Sequence, residues 1–228
     1  MLGLVAAAML TLSTPAAMDC AAEARVECIE LMQALYRSAN PETGEAVGLR
    51  ADRYRAEPVR LFVRPHSLAR QGGERILIVS VSTLEGLHVE VGSWSLYVFD
   101  ADTPTLRRRQ LHFRYSGSFG QPGSGRLVEL VDNTLALVVE SGGTWQGHSC
   151  VWSSVDLIES GRARALLEPV LLVFDDASGI GPRRASIAGG FESLTSRSAV
   201  LVYDDGQRFS FTSRNGQLRT NRATPQRC

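Results

Sequence analysis

From Val59 to the end of the 228-residue chain, short apolar runs alternate with turn signals, and this rhythm confines the fold to antiparallel β-structure. The runs are 59–63, 75–81, 88–91, 95–99, 107–115, 126–131, 134–140, 149–157, 169–174, 199–203 and 208–212. Between them stand Gln71-Gly72-Gly73, Asp132-Asn133, Gly142-Gly143, Asp205-Gly206 and Asn215-Gly216, residues that supply the positive φ or the side-chain bond a tight turn needs. Residues 116–125, SGSFGQPGSG, read as a loop, and residues 160–168 offer a short helix with Ala163, Leu166 and Leu167 on one face. The expected fold is mainly β, an antiparallel meander that is propeller-like or a sandwich.

Sliding the chain by 61 residues lays Ile76, Leu77 and Ile78 on Leu137, Val138 and Val139, Thr83 on Thr144, Glu85 on Gln146, Gly86 on Gly147 and Leu96 on Leu157. That suggests an internal repeat of a buried strand, a T-x-[EQ]-G loop and a second strand.

Before Val59 the character changes. Val26, Ile29, Met32, Leu35 and Tyr36 recur at helical spacing, so residues 24–39 read as one N-terminal α-helix stopped by Asn40-Pro41. Residues 41–57 are polar and read as a linker. Residues 2–12, LGLVAAAMLTL, are uncharged and apolar, and Ser13 to Ala17 are small or helix-breaking; together they match a secretory signal peptide cut after Ala16, although no Lys or Arg precedes the run. The run is too short for a bilayer span, which leaves no transmembrane segment in the mature chain. The expected organisation is a signal peptide at 1–16, helix and linker at 17–57, and a β domain at 58–228.

Export makes disulfides the natural state of Cys20, Cys28, Cys150 and Cys228. Cys228 ends a polar tail that frays unless tied down, and Cys150 is the one cysteine beyond the N-terminal region that could tie it. Four cysteines allow three connectivities: in this one Cys20 and Cys28 pair locally, whereas a crossed pair from Cys20 or Cys28 to Cys150 would staple the N-terminal helix onto the β domain. Eight residues along a helix span about 12 Å, beyond disulfide reach, so Cys20 must precede the helix and fold back.

Charge and residue types exclude much chemistry. The 24 basic and 24 acidic side chains balance, which argues against nucleic acid. All 24 basic residues are arginine, so P-loop, Schiff-base and Ser-Lys chemistry have no lysine to use. His66, His88, His112 and His148 form no metal-ligand spacing, and no cofactor motif is complete: Gly123-Ser124-Gly125 and Gly179-Ile180-Gly181 each lack the third glycine of a nucleotide loop. His112 and Arg114 alternate in a strand-like run and are expected on its solvent face. Asp100, Asp175 and Asp204 each follow an aromatic where a turn begins; they read as turn residues rather than calcium ligands, since no D-x-D-x-D-G run exists. The last stretch is basic, with eight arginines after residue 182 against Glu192, Asp204 and Asp205.

Residues 141–152, SGGTWQGHSCVW, hold the densest chemistry. Gly147-His148-Ser149 begins like a nucleophile elbow but lacks the closing glycine and the helix that must follow. Neighbouring strand residues face opposite ways, so His148 and Ser149 should not meet. Trp145, after two glycines, reads as a loop anchor, with His148 beside it and Glu85 and His88 on the companion loop. Trp152 reads as core. The sequence therefore points to an exported or periplasmic non-catalytic binding module whose loop aromatics meet an envelope protein or glycan. The alternatives are a serine-type hydrolase at His148/Ser149 and a structural envelope protein. N-terminal sequencing of the protein recovered from its host is expected to start at Ala17 or Met18; an intact Met1 would exclude export by this route.

Overall fold

The structure is a computed structural model and describes residues 17–50, 57–83, 90–145, 147–176 and 186–225. The signal-peptide residues 1–16 lie outside this set, as do Glu85, His88 and Cys228. The described chain is mainly β, with antiparallel pairing throughout and one helix. The first sheet joins β1 (Ala17–Asp19), β3 (Val59–Gln71), β4 (Glu74–Thr83), β5 (Gly92–Asp100) and β6 (Leu106–Ser116) in that order, with β2 (Ala46–Arg50) also on β3. The second runs as an unbroken meander from β7 (Ser124–Glu129) through β8 (Leu135–Trp145), β9 (His148–Glu159), β10 (Arg162–Asp176), β11 (Ser186–Leu194), β12 (Ser198–Tyr203) and β13 (Arg208–Arg214) to β14 (Gln217–Arg219). The stretch read as helix and linker thus supplies two strands, β1 and β2, to the first sheet.

The sheets pack face to face, as in a sandwich rather than as radial blades. Alternation along each strand sends one set of side chains to each face. Ile76 and Ile78 of β4 and Trp94, Leu96 and Val98 of β5 meet Leu135, Leu137 and Val139 of β8 and Ile158 of β9 in the shared core. Gly125 of β7 lies so close under Trp94 that a Cβ there would stand 2.5 Å from the indole, so the indole occupies the space a side chain would need. The other face of the first sheet carries Leu77, Val79, Tyr97 and Phe99 and is covered by α1 (Arg25–Leu35). The other face of the second sheet is covered by the sheet itself: β12 to β14 fold back so that Leu201, Phe209, Phe211 and Leu218 pack on Val138, Leu157 and Leu172. Tyr203 of β12 donates across this fold to the Leu171 carbonyl of β10.

The helix is shorter than its sequence pattern, and its buried face is turned. Cys28, Leu31 and Met32 are buried, whereas Val26 is exposed. Two local constraints set this phase. Cys20 and Cys28 form a disulfide, with Cys20 ahead of the helix as expected. Glu27 meets Arg70 through both carboxylate oxygens at 2.9 Å and Arg75 at 3.1 Å. Arg75 is itself buried and donates its Nε to the Asp100 carbonyl. The phenol hydroxyls of Tyr36 and Tyr97 lie 2.7 Å apart, closing the far end of the same layer.

Other expectations are corrected by long-range pairing. Residues 162–168 are strand, since Ser160 and Gly161 both take positive φ and turn β9 directly into β10. Gly142 and Gly143 lie within β8 opposite Val151 and Cys150, and the strands pair as far as Trp145 and His148, so the turn falls beyond the glycine pair. Ile76 and Leu137, and Ile78 and Val139, which the 61-residue slide equates, do line one core. Leu96 and Leu157 do not: Leu96 faces the shared core and Leu157 the opposite face. Ile78 pairs with Leu96, but Val139 pairs with Ser154, so the second hairpin has a different register.

The expected solvent face of β6 is in fact its inner face. Gln110 donates to the Ala163 carbonyl and accepts from the Ala163 amide, bridging to β10 like one rung of a ladder. Arg114 crosses to Asp156 of β9 with two bonds of 2.8 and 2.7 Å, and lies 3.6 Å from Glu168. Their side chains are 12% and 2% exposed. Burial is the largest influence on Asp156 and lifts its carboxyl above the usual range despite the arginine, while the bonds to Asp156 raise the Arg114 guanidinium. Both directions follow from one arrangement: desolvation costs Asp156 much of what the pair returns. Removing one partner leaves a buried charge without its mate. Arg114→Met or Asp156→Asn is expected to lower unfolding free energy by about 3–5 kcal/mol, and Arg114→Met with Asp156→Leu to recover most of it. Urea denaturation of the three variants checks this, and equal losses adding in the double variant would show the pair to be uncoupled.

Candidate functional site

At the end where β8 turns into β9, the inner face of the second sheet runs on past the last shared-core residue of β8, Val139. Register puts Ser141 and Gly143 of β8 opposite Trp152 and Cys150 of β9, on that face with His148, which pairs with Trp145 at the hairpin end. The loop between β6 and β7 brings Gly117, Ser118 and Phe119 to the same place, and a cavity of about 650 Å³ opens between them. Its floor is bare at Gly143, where a built Cβ would meet nothing within 4 Å.

His148 stacks on Phe174 of β10, with ring centroids 5.9 Å apart and planes at 15°. Its Nδ1 is 3.2 Å from an Asp176 oxygen, although the angle is not that of a hydrogen bond. The imidazole is 39% exposed. Phe119 is exposed and has a φ of 51°, a left-handed conformation that a bulky residue adopts rarely and that the surrounding loop must hold. That loop is fixed by backbone bonds from Gly120 to the Glu90 carbonyl and from Thr83 to the Gly120 carbonyl.

His148 lies on the cavity as expected. Trp145 is the last residue of β8, at the hairpin tip, and its side chain lies outside the described residues. Glu85 and His88 lie outside them entirely. Ser149 faces away from His148: its hydroxyl sits 2.9 Å from that of Thr144 on the opposite face. His148 therefore meets an acid but not Ser149. Cys150 is disulfide-bonded, so it offers no thiol nucleophile. Trp152, read from the sequence as core beside Cys150, does pack against Cys150, Leu171 and Phe174, and being half-buried it also lines the cavity; its spacing of four from His148 on a strand carried that second signal. Phe119, Phe174 and Asp176 were missed because only the tertiary fold brings them to β9.

The other described histidines, His66 and His112, serve structure. His66 packs edge-on against Trp94 at 4.9 Å, and burial holds its pKa below the usual histidine range. His112 occupies a bulge of β6 with φ 51°; its Nδ1 lies 2.6 Å from the Ser93 hydroxyl, and burial, aided by Arg50, lowers its pKa. Among the described residues no group of three or more His, Cys, Asp or Glu could hold a metal ion, and no helix is long and apolar enough to cross a membrane.

Compared with protein-family models, with curated proteins and with solved structures, the chain has no match. Peptide mapping without reductant should recover Cys20 joined to Cys28 and a separate peptide joining Cys150 to Cys228, the remaining cysteine of the sequence. A link from Cys150 to either early cysteine would overturn both assignments.

Proposed function

We propose that the protein is an exported or periplasmic, non-catalytic binding module, and that the cavity at the β8–β9 end receives a glycan. The observation that carries this reading is the stretch of inner sheet face that no described residue covers, apolar where a second layer would normally lie. Trp152 and Phe119 offer aromatic surface, and Ser118, Ser141 and His148 offer hydroxyl and imidazole groups around the bare glycine floor. A sugar ring combines an apolar C–H face with a rim of hydroxyls, and this lining suits both. The 3.2 Å approach of His148 to Asp176 would also suit a general base, but Ser149 stands on the wrong face to be its nucleophile. Binding thus accounts for more of the site than hydrolysis does.

Tryptophan fluorescence during titration with an N-acetylglucosamine tetramer, and with soluble peptidoglycan fragments, tests the proposal. A saturable change is expected, weakened about tenfold or more in Trp152→Ala, as for loss of an aromatic anchor. Gly143→Leu has room to fold and should block binding by filling the floor. Absence of a saturable change with both probes, or binding untouched by both substitutions, would refute a glycan site here.

A further inference from the structure

Cys150 is buried where its surroundings are open. It lies on the cavity wall at 2% exposure, while His148 and Trp152, two residues away on the same face of β9, are only half-buried. Leu171 and Phe174 of β10 pack on it from one side. On the other side stands Gly143 of β8, exposed and with nothing within 4 Å of a built Cβ, so β8 supplies no cover. Cys150 is also disulfide-bonded. Cys20 and Cys28 are bonded to each other, which leaves Cys228 as its partner among the four cysteines of the sequence. The described part of the tail runs toward this place. Beyond β14, Arg222 folds back along β13, its guanidinium 5.2 Å over the Phe209 ring and bonded to the Arg208 carbonyl. Phe209 packs edge-on against Tyr203, and Tyr203 donates to the carbonyl of Leu171, whose side chain touches Cys150. Thr224 and Pro225, the last described residues, are half-buried. Six further residues take the chain from Arg222 to Cys228 and span up to about 20 Å, enough to cross one layer of sheet at about 10 Å.

We propose that the segment Gln226 to Cys228, which lies outside the described residues, covers the cavity floor at Cys150, and that the Cys150–Cys228 bond is a latch holding it across the ligand site. The ligand named here rests on the glycan reading above; the cover over Cys150 does not. Gln226 and Arg227 bring no apolar side chain to an apolar floor, so the covalent bond rather than burial keeps the segment in place. Cys150 sits between His148 and Trp152, about 7 Å along the strand from each, and a chain anchored there obstructs any ligand that touches both. Cutting the bond frees the floor. Exchange with a dithiol does this: the dithiol gives up two electrons and two protons, leaves as its own disulfide, and returns Cys150 and Cys228 as thiols. The cavity is thus restricted when the bond is formed and open when it is reduced.

Alkylation with iodoacetamide, read by mass spectrometry, tests the cover without any ligand. In Cys228→Ser, and in a chain ending at Pro225, Cys150 is expected to be alkylated without denaturant. The lost cross-link lowers the transition temperature of both variants, and a single cooperative transition shows that they fold. Cys150 that reacts only in denaturant has another cover, which overturns the proposal. Fluorescence titration with the N-acetylglucosamine tetramer tests the latch. Affinity is expected to rise about threefold or more in both variants, and in the unaltered protein on adding dithiothreitol, as the competent fraction grows. Dithiothreitol should add nothing in Cys228→Ser, which separates this bond from Cys20–Cys28. Equal affinity in the unaltered protein and both variants, or a reductant effect that persists in Cys228→Ser, overturns the latch. Alkylation of Cys150 with no tetramer binding in any form supports the cover and refutes the glycan reading alone.

Discussion

The contact between the two sheets depends on what β6 sends across it. Arg108, Gln110 and Arg114 share one face of an edge strand, and each reaches the second sheet: over Gly161, onto Ala163 and onto Asp156. An edge strand ordinarily leaves a row of unpaired backbone groups beside it. Here Gln110 satisfies the amide and carbonyl of Ala163 with a side chain, in the place of a neighbouring strand. Arg114 does what a lysine could not, because two parallel bonds to the carboxylate of Asp156 need a planar fork. Two residues of bulge around His112 keep Gln110 and Arg114 in phase while the strand bends. The buried pair stabilises little in itself, but it fixes where the sheets meet, since any slip would strand a charge inside the shared core.

With that registration fixed, the remaining surfaces follow. Each sheet has a second apolar face to bury. The first uses α1, held in phase by the Cys20–Cys28 bond and by Glu27 between Arg70 and Arg75. The second has no helix and closes on itself through β12 to β14. The meander is therefore layered as helix, sheet, sheet and folded-back sheet, and its length comes from covering one exposed face after another.

The ends of the sandwich differ in how they close. Where β8 and β9 run on past Val139, their inner face stays partly open beneath Phe119 and forms an apolar hollow. Where β8 begins and β9 ends, Arg108 of β6 lies across the bare backbone of Gly161 in the β9–β10 turn. A scaffold clamped in the middle can present such ends without its core adjusting to either.

Much of this was legible in residue order. The alternation of apolar residues after Val59 specified antiparallel β-structure, and Asn215-Gly216, Asp205-Gly206 and Gly72-Gly73 marked turns that the chain does make, because those residues tolerate positive φ in any context. Cysteine placement pointed to the Cys20–Cys28 bond without excluding crossed pairs, and helix geometry put Cys20 ahead of the helix if the two were to join, which is where it lies. These are local properties, decided by sterics within a few residues. Tertiary structure alone decided that 162–168 is strand rather than helix, that Gly142 and Gly143 sit in a ladder rather than a turn, and that Arg114 points inward. Each of those segments is locally ambiguous, and the choice rests on hydrogen bonds and burial supplied by β9, β8 or the opposite sheet. The candidate cavity belongs to the same category. His148 and Trp152 could be named from the sequence, but a hollow exists only because one sheet face runs on past the shared core, and where a packed interface stops is written in no single stretch of chain.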